Sequence, residues 1–438
     1  MRPSPEISWS SFHELPKQER LSALLAGELN FHGENSSYAS HDLHAFAAKF
    51  PPQLPRLFVR GLTAPGDVVL DPMMGSGTAV VEAILEGRRG LGFDLDPLAS
   101  LLTKVKTTTL ELEKLRQTHQ QILQSAHALL SDGKVIEQSL SDQFDKATRE
   151  FIDFWFLPKT QRELMALVLS VGKIDDPLIR RFFELNFSSI IVTKSGGVSL
   201  ARDLAHSRPH KVESKVPKNA IEQFSQRFRK NFLSISKLND LKAGGLTSVG
   251  DARRMPLADN TVDLVVTSPP YANAIDYMRA HKFSLVWLGD SVQALADLRS
   301  RYIGSEKTSN LSHGKTVMPQ RCLMIINKLH ELDRKKALIL GKYFSEMENV
   351  IAEIYRVLKP DSTAIIIVGT STMRGINVQT HFCLADIAAD LGFKVIGVVE
   401  RILDRNKRMM PARFGKNNQT SIEQRMHEEY VIGLYKGE

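Results

Sequence analysis

Asp71-Pro-Met-Met-Gly-Ser-Gly-Thr78 decides how this sequence is read. It follows Val68-Val69-Leu70, a short and wholly apolar run of the kind a buried parallel strand shows. Behind it, Ala79 to Glu86 has helical character and stops at Gly87. Gly90-Leu91-Gly92-Phe93-Asp94 then reads as a second short strand closed by an acid. Strand, Gly-rich turn, helix and strand-with-acid form a nucleotide-binding βαβ unit. Gly75 and Gly77 let the backbone turn tightly and approach a ligand with no Cβ in the way. A phosphate-binding P-loop needs a Lys between Gly77 and Thr78, and a dinucleotide fingerprint needs a third glycine. Both are missing, so the ligand expected here is nucleoside-like and lacks a pyrophosphate. An acid at Asp94 suits ribose hydroxyls.

Further strand-like runs lie at 246–250, 263–267, 363–369, 394–400 and 429–435, with helical patterns at 341–358 and 381–391. The fold class is therefore α/β with a mostly parallel sheet. Residues 111–245 break that alternation. They are rich in Leu, Gln, Lys and Glu with few turn signals, and they read as a large helical insertion. Residues 1–36 read as a polar lead-in with one or two short helices. Residues 290–340 form a second interruption, polar and mixed.

The whole sequence has 438 residues, 42% hydrophobic and 24% charged. That suits a chain with a sizeable core and excludes wholesale disorder, collagen and coiled coil. Lys plus Arg exceed Asp plus Glu by 57 to 49, a net charge of +8. A basic excess fits a polyanionic partner and equally a merely basic soluble protein. Cys322 and Cys383 are too few for a disulfide framework or a four-cysteine zinc site, and no His, Cys or acid cluster has metal-ligand spacing. No metal is expected. No stretch approaches the roughly 18 apolar residues of a membrane span. The first twenty residues are polar with no apolar signal-peptide core, so a cytoplasmic location is expected.

The second motif is Thr267-Ser268-Pro269-Pro270-Tyr271, at the end of an apolar strand. Consecutive prolines have no amide to donate and fix the backbone, so nearby carbonyls can act as acceptors. Ser268 adds an acceptor and Tyr271 a flat aromatic face. Acceptors beside an aromatic plate are what a site needs to hold the exocyclic amine of a planar base. Taken alone, the same residues describe a strand-ending turn packed under a tyrosine.

Together, Asp-Pro-x-x-Gly-Ser-Gly-Thr and Ser-Pro-Pro-Tyr, each closing a strand, resemble the S-adenosylmethionine-dependent DNA amino-methyltransferases that act on cytosine N4 or adenine N6. The resemblance spans residues 40–110 and 246–438. It includes His44-Ala-Phe-Ala-Ala-Lys-Phe-Pro-Pro52, Gly250-Asp251-Ala252 and Tyr271-Ala-Asn-Ala-Ile-Asp-Tyr277. It implies a Rossmann-like class I methyltransferase sheet, split into a cofactor part (37–110) and a catalytic part (246–438). It implies S-adenosylmethionine as cofactor, held by Phe46, Lys49, Asp71, Pro72, Gly75, Ser76, Gly77, Thr78, Asp94, Asp251 and Ala252. Ser268, Pro269, Pro270 and Tyr271 would be catalytic. Ser in the first position leans toward cytosine N4, with adenine N6 the alternative. Double-stranded DNA is the implied substrate, and a restriction–modification setting implies a cognate restriction enzyme as partner. An RNA base methyltransferase and an inactive DNA-binding protein of the same fold are the other readings. A cytosine C5 enzyme would need a cysteine after a proline, and neither cysteine follows one.

The region that reads DNA has three candidates: 111–245, 290–340 and the basic run 401–416. Arg202, Arg208, Lys211, Arg227, Arg229, Lys230, Arg405, Lys407 and Arg408 are the candidate phosphate contacts, against the default of a solvated charged face. Histidines His206 and His210 divide evenly between the same two roles. Phe151, Phe154, Trp155 and Phe156 read as core.

Overall fold

The computed structural model describes residues 9–47, 49–193, 197–202, 204, 209–237, 245–272, 276–305, 318–403 and 428–438. Seven strands build one sheet: β1 (Val68–Asp71), β2 (Arg89–Asp94), β3 (Gly245–Val249), β4 (Val262–Thr267), β5 (Leu358–Gly369), β6 (Lys394–Ile402) and β7 (Glu428–Lys436). Their spatial order is β3-β2-β1-β4-β5-β7-β6. All neighbouring pairs are parallel except those of β7, which runs antiparallel to both β5 and β6. The expected α/β class with a mostly parallel sheet is what the chain adopts. Strands β1 and β4 are adjacent although nearly two hundred residues separate them. From that pair the strand order proceeds outward in both directions, which makes their carboxyl ends a topological switch point, the usual ligand crevice of such sheets.

Side-chain alternation covers both faces of the sheet. Leu264, Val266, Ile365 and Ile367 pack with Leu21, Leu25, Leu54 and Phe58 on one side. Val265, Ile366 and Val368 pack with Ile351, Ile354, Leu384 and Ala388 on the other. The lead-in contributes to the first layer through the helix Lys17–Leu25, with Leu21, Leu24 and Leu25 buried. A Cβ on Gly433 would lie 2.5 Å from Leu25 Cδ1, so that helix sits directly on the backbone of β7. Asp263 is tolerated inside the buried β4 because its carboxylate accepts from the Val68 amide at 2.9 Å and from Lys359 at 2.7 Å.

Residues 111–245 contain helices Leu112–Asp132, Lys134–Asp142, Lys146–Trp155, Pro158–Gly172, Pro177–Ile191 and Ala220–Ser236. A two-stranded hairpin, Ala201–Arg202 with His210–Lys211, accompanies them. The helix starts are chemically marked: Asp145, Asp176 and Asn219 each accept an amide from the first turn. Phe182, Phe183, Phe224, Phe228 and Trp287 share one core with Leu98, Leu102 and Val105 of the helix Pro97–Lys106, which follows β2. The helical region is thus packed against the helix that follows β2. Phe156 is buried and Phe151 and Trp155 are partly so, as read, whereas Phe154 is exposed. The helix expected at 341–358 begins earlier, spanning Arg334–Val357. Asp333 caps it, accepting from the Lys336 amide at 3.0 Å, and the charged first turn Arg334-Lys335-Lys336 hides the start from hydrophobic periodicity. No helix among the described residues is long and apolar enough to cross a membrane.

Candidate functional site

The site grows from the ends of β1, β2 and β4. Asp71 closes β1 and is almost fully buried; its Oδ1 accepts from the Thr267 hydroxyl at 2.7 Å and the Met73 amide at 3.2 Å. Gly75 and Gly77 follow with φ of +46° and +72°, the left-handed region where glycine is favoured. A Cβ on Gly77 would sit 2.3 Å from Thr103 Cγ2, so the turn lies flat against the helix Pro97–Lys106. The Gly75 amide donates to Asp94 Oδ2 at 2.8 Å, and the Asp96 amide to Asp94 Oδ1 at 2.9 Å. Beneath the turn, Lys106 Nζ donates to the Ser76 carbonyl at 2.7 Å, and burial pushes that ammonium well below its ordinary value.

The acids here are not ordinary. Burial pushes Asp71 up to about 7, and burial together with the neighbouring Asp96 pushes Asp94 up to about 6. Burial pushes Asp96 up as well, but the His281 ring, with Nδ1 2.6 Å from Asp96 Oδ2, and the Leu98 and Ala99 amides together outweigh it and hold the carboxyl below its usual range. The other oxygen of Asp96 caps the helix Pro97–Lys106 by accepting from the Leu98 amide. Phe46 stacks on Tyr277 with centroids 5.4 Å apart and leans on His281 at 5.1 Å. The segment carrying Phe46 and Lys49 is tied to the helix after the turn, since His41 Nε2 and Tyr38 Oη both meet Glu82 Oε1, at 2.6 and 2.8 Å. Lys49 Nζ donates to the His41 carbonyl at 2.8 Å.

At the end of β4 the chain passes into Ser268-Pro269-Pro270-Tyr271. A cavity of about 550 Å³ runs from the Gly-rich turn to Ser268. Of the residues expected to hold a ligand, it is lined by Phe46, Lys49, Asp71, Pro72, Gly75, Ser76, Thr78, Asp94, Asp251, Ala252, Ser268 and Pro270. Gly77 backs the turn against Thr103, and Pro269 is buried. The Tyr271 hydroxyl is directed to Glu429 Oε1 at 2.7 Å, and its ring packs on Gly369, where a Cβ would lie 2.6 Å away. Asp251 is clamped by Arg253, whose Nη2 is 2.7 Å from Asp251 Oδ2 and whose Nη1 reaches Glu346 at 2.9 Å.

Sequence reasoning missed a second set of cavity residues: Asp96, Asp276, Tyr277, Tyr302 and the basic rim Arg279, Arg299, Lys335 and Lys336. Two of them had a readable signal. Asp96-Pro97 is a cap followed by proline at the first helical position, and Tyr277 and His281 stand four apart, on one helical face. The four basic residues had none of their own: Arg299, Lys335 and Lys336 lie in 290–340, which is a candidate DNA-reading region only as a whole, and Arg279 lies before it. The candidate phosphate contacts fare differently. Arg202 and Arg229 are exposed. Lys211 Nζ sits 4.3 Å over the Phe154 ring, Lys230 pairs with Asp42 at 3.3 Å, and Arg227 Nη2 is half-buried, 3.4 Å from the Ser189 carbonyl. None of these five lines the cavity. Arg208, Arg405, Lys407, Arg408 and His206 lie outside the described residues. Among the described residues no group of three His, Cys, Asp or Glu is placed to hold a metal ion.

A family model for DNA methylases of the N6/N4 type matches residues 9–104 and 262–431. The match leaves out the six helices between. The chain is 24% identical over 383 residues to the type II methyltransferase M.MvaI of Kocuria varians, covering 82% of this chain and 83% of that protein. To the type II methyltransferase M.BsoBI of Geobacillus stearothermophilus it is 22% identical over 385 residues, 76% and 74% of the two chains. To M.AvaI of Anabaena variabilis it is 33% identical over 150 residues, 30% and 31% of the two chains.

The Gly-rich turn gives a direct check. Gly77→Ala forces both a left-handed backbone and a clash with Thr103, and is expected to destabilise the protein by about 1–3 kcal/mol in urea denaturation. An unchanged midpoint would mean that the turn relaxes freely.

Proposed function

The chain belongs to the N6/N4 DNA methylase family, and on that premise we propose that it methylates the N4 amine of cytosine at a specific site in double-stranded DNA, as a type II modification enzyme. The observation that carries this reading is that Ser268 and the Gly75–Thr78 turn line one cavity, with the strand ends behind them joined by the Asp71–Thr267 hydrogen bond.

S-adenosylmethionine is the cofactor of this family; when bound, it supplies a methyl group carried on positively charged sulfur. The cavity fits it. Asp71 is a buried carboxylate and Asp94 a half-buried one, and a cationic ligand favours the ionisation of both. A carboxylate has about four lone-pair sites. Asp94 gives two to backbone amides and keeps the rest for ribose hydroxyls. Gly75, Ser76 and Thr78 would bring backbone close to the ligand, with Gly77 seating the turn on Thr103 and Pro72 at the turn's entry. Phe46 and Ala252 would offer apolar contact to its base, and Asp251 and Lys49 would supply charged groups beside it.

The chain's own part is to hold the target amine. That nitrogen is a poor nucleophile because its lone pair is delocalised into the ring. The Ser268 hydroxyl accepts one N–H, and a carbonyl of the Pro269-Pro270 backbone accepts the other. Both favour a tetrahedral nitrogen whose lone pair points at the methyl group. Tyr271 stacks on the base. Once the nitrogen is methylated its proton is acidic and leaves to water, so no strong base is required. The base must first leave the duplex, at a cost of roughly a few kcal/mol. Serine as the first residue of the motif supports cytosine N4 over adenine N6.

Duplex DNA brings phosphates to the mouth of the cavity, and Arg279, Arg299, Lys335 and Lys336 supply positive charge there. The helical region 111–245 is the recognition region in this reading, with Arg202, Lys211, Arg229 and Lys230 as outlying phosphate contacts. A cognate restriction enzyme is the expected partner.

Incubation with labelled cofactor and unmethylated duplex DNA, followed by nucleoside mass spectrometry, should yield N4-methylcytosine. N6-methyladenine would keep the chemistry and overturn the serine argument. Ser268→Ala should slow transfer by about 10²–10³-fold, the usual loss when one hydrogen-bond partner of a transition state is removed, with cofactor affinity unchanged by calorimetry. Cofactor affinity itself should depend on pH. Asp71 and Asp94 lose their protons as pH rises through about 7 and about 6, and only their charged forms attract a cation. Affinity is therefore expected to weaken steadily between pH 8 and pH 5; a flat profile would remove both acids from the cofactor site.

A further inference from the structure

Tyr271 is held from behind by charged groups that the transfer itself does not use. Its hydroxyl donates to Glu429 Oε1 of β7 at 2.7 Å. The second oxygen of Glu429 takes the guanidinium of Arg401 on β6. Arg401 is 2% exposed, and its Nε donates to the Leu29 carbonyl at 3.0 Å. Glu429 and Arg401 are register partners across β6 and β7, and Glu429 also faces Gly369 of β5. The missing side chain at Gly369 leaves the space that the Tyr271 ring fills.

Two contacts therefore fix the ring, and they do different things. The hydroxyl lies on the ring's own axis, so the bond to Glu429 sets the direction of that axis but not rotation about it. Contact with Gly369 sets the rotation. A backbone carbonyl or a water would satisfy a buried phenol just as well. A carboxylate braced by a buried arginine is a costlier arrangement, because two charges leave water. It is also a stronger and shorter anchor than a neutral acceptor. All three anchoring residues sit on paired strands of the sheet, while Tyr271 is a half-buried residue between Pro270 and Ala272, both of which line the cavity.

We propose that Glu429, braced by Arg401, is a positioning residue for methyl transfer: it fixes the axis along which the Tyr271 ring, its rotation set by Gly369, meets the target base. This rests on the reading of Tyr271 as the base's stacking partner and adds to it the means by which the ring is pre-set. Binding of cofactor and of DNA does not pass through Glu429, so its loss acts on the rate of transfer.

The test is a double-mutant cycle on the full chain, with saturating labelled S-adenosylmethionine, fragmented unmethylated genomic DNA, and single-turnover rates expressed per cofactor-binding site. Tyr271→Phe keeps the stacking face and loses the hydroxyl. Glu429→Gln keeps the shape and loses the charge. Each is expected to slow transfer tenfold or more, with cofactor Kd and DNA KM within twofold of the parent. The double variant should be no slower than the slower single, because both changes act on the one Tyr271–Glu429 bond: Tyr271→Phe removes it and Glu429→Gln leaves only a neutral, weaker partner. Rates that multiply, or a parental rate in Glu429→Gln, overturn the proposal. If Glu429→Gln no longer binds cofactor, Tyr271→Phe decides alone, and a parental rate there refutes it. Tyr271→Ala separates the two layers. A parental rate in that variant removes the stacking reading itself. A slow Tyr271→Ala beside parental Tyr271→Phe and Glu429→Gln leaves stacking standing and refutes the positioning role.

Discussion

The hydrogen bond between the Thr267 hydroxyl and Asp71 Oδ1 ties the site together. It joins the last residues of β1 and β4, neighbours in the sheet that are far apart in sequence. One strand leads into the glycine turn and the other into Ser-Pro-Pro-Tyr. Parallel pairing alone fixes the two ends only to within the looseness of strand termini. A side-chain bond at the last rung fixes them to each other, so the two motifs share one cavity. The same bond explains why a carboxyl group is tolerated there. Burial without a partner would be prohibitive for Asp71, and Thr267 with the Met73 amide lowers the cost only in part, leaving the group at about 7. A cationic ligand beside Asp71 therefore favours its charged form.

A second tie keeps the two halves of the sheet in step around the helical region. Asp96 uses one oxygen to cap the helix Pro97–Lys106 and the other to hold His281, four residues beyond Tyr277. The chain leaves the sheet after the first of these elements and returns before the second. Insertion of six helices between them costs little in loop-closure entropy, which grows only slowly with length. It carries a risk of misplacement, however, and the Asp96–His281 contact, with Phe46 packed over it, removes that risk at the cavity wall.

What the sequence disclosed follows from the range of each signal. The strands, the glycine turn and the Pro-Pro corner were legible because backbone chemistry is local: β-branched runs, missing Cβ atoms and missing amides act within a few residues. The family resemblance at Asp71, Asp94 and Ser268 was legible for the same reason. Tyr271 was legible as an aromatic plate but not as one anchored to Glu429, because its partners lie about 160 and 130 positions away and meet it only through strand order. The start of the helix Arg334–Val357 was hidden because a capping aspartate followed by three cations carries no apolar period.

Charge was the least transferable signal, and the reason is physical. Long basic side chains lay their stems along apolar surface and take whatever acceptor lies near the tip. In the helical region three of the five described candidates are engaged within the fold, Lys211 by an aromatic face, Lys230 by Asp42 and Arg227 by the Ser189 carbonyl, while Arg202 and Arg229 are exposed. Sequence density of Lys and Arg therefore says little about field at a given point. What matters for a polyanion entering a cavity is cations within a Debye length of its mouth, on the order of 8–10 Å at physiological salt. Arg279, Arg299, Lys335 and Lys336 line the cavity itself and come from three different helices. Arg279 and Arg299 both reach Asp276, at 2.8 and 2.5 Å, so a shared carboxylate holds two guanidinium groups together that would otherwise repel. An incoming phosphate would meet that pair already gathered, and the ordering of two flexible side chains would already have been met by the fold.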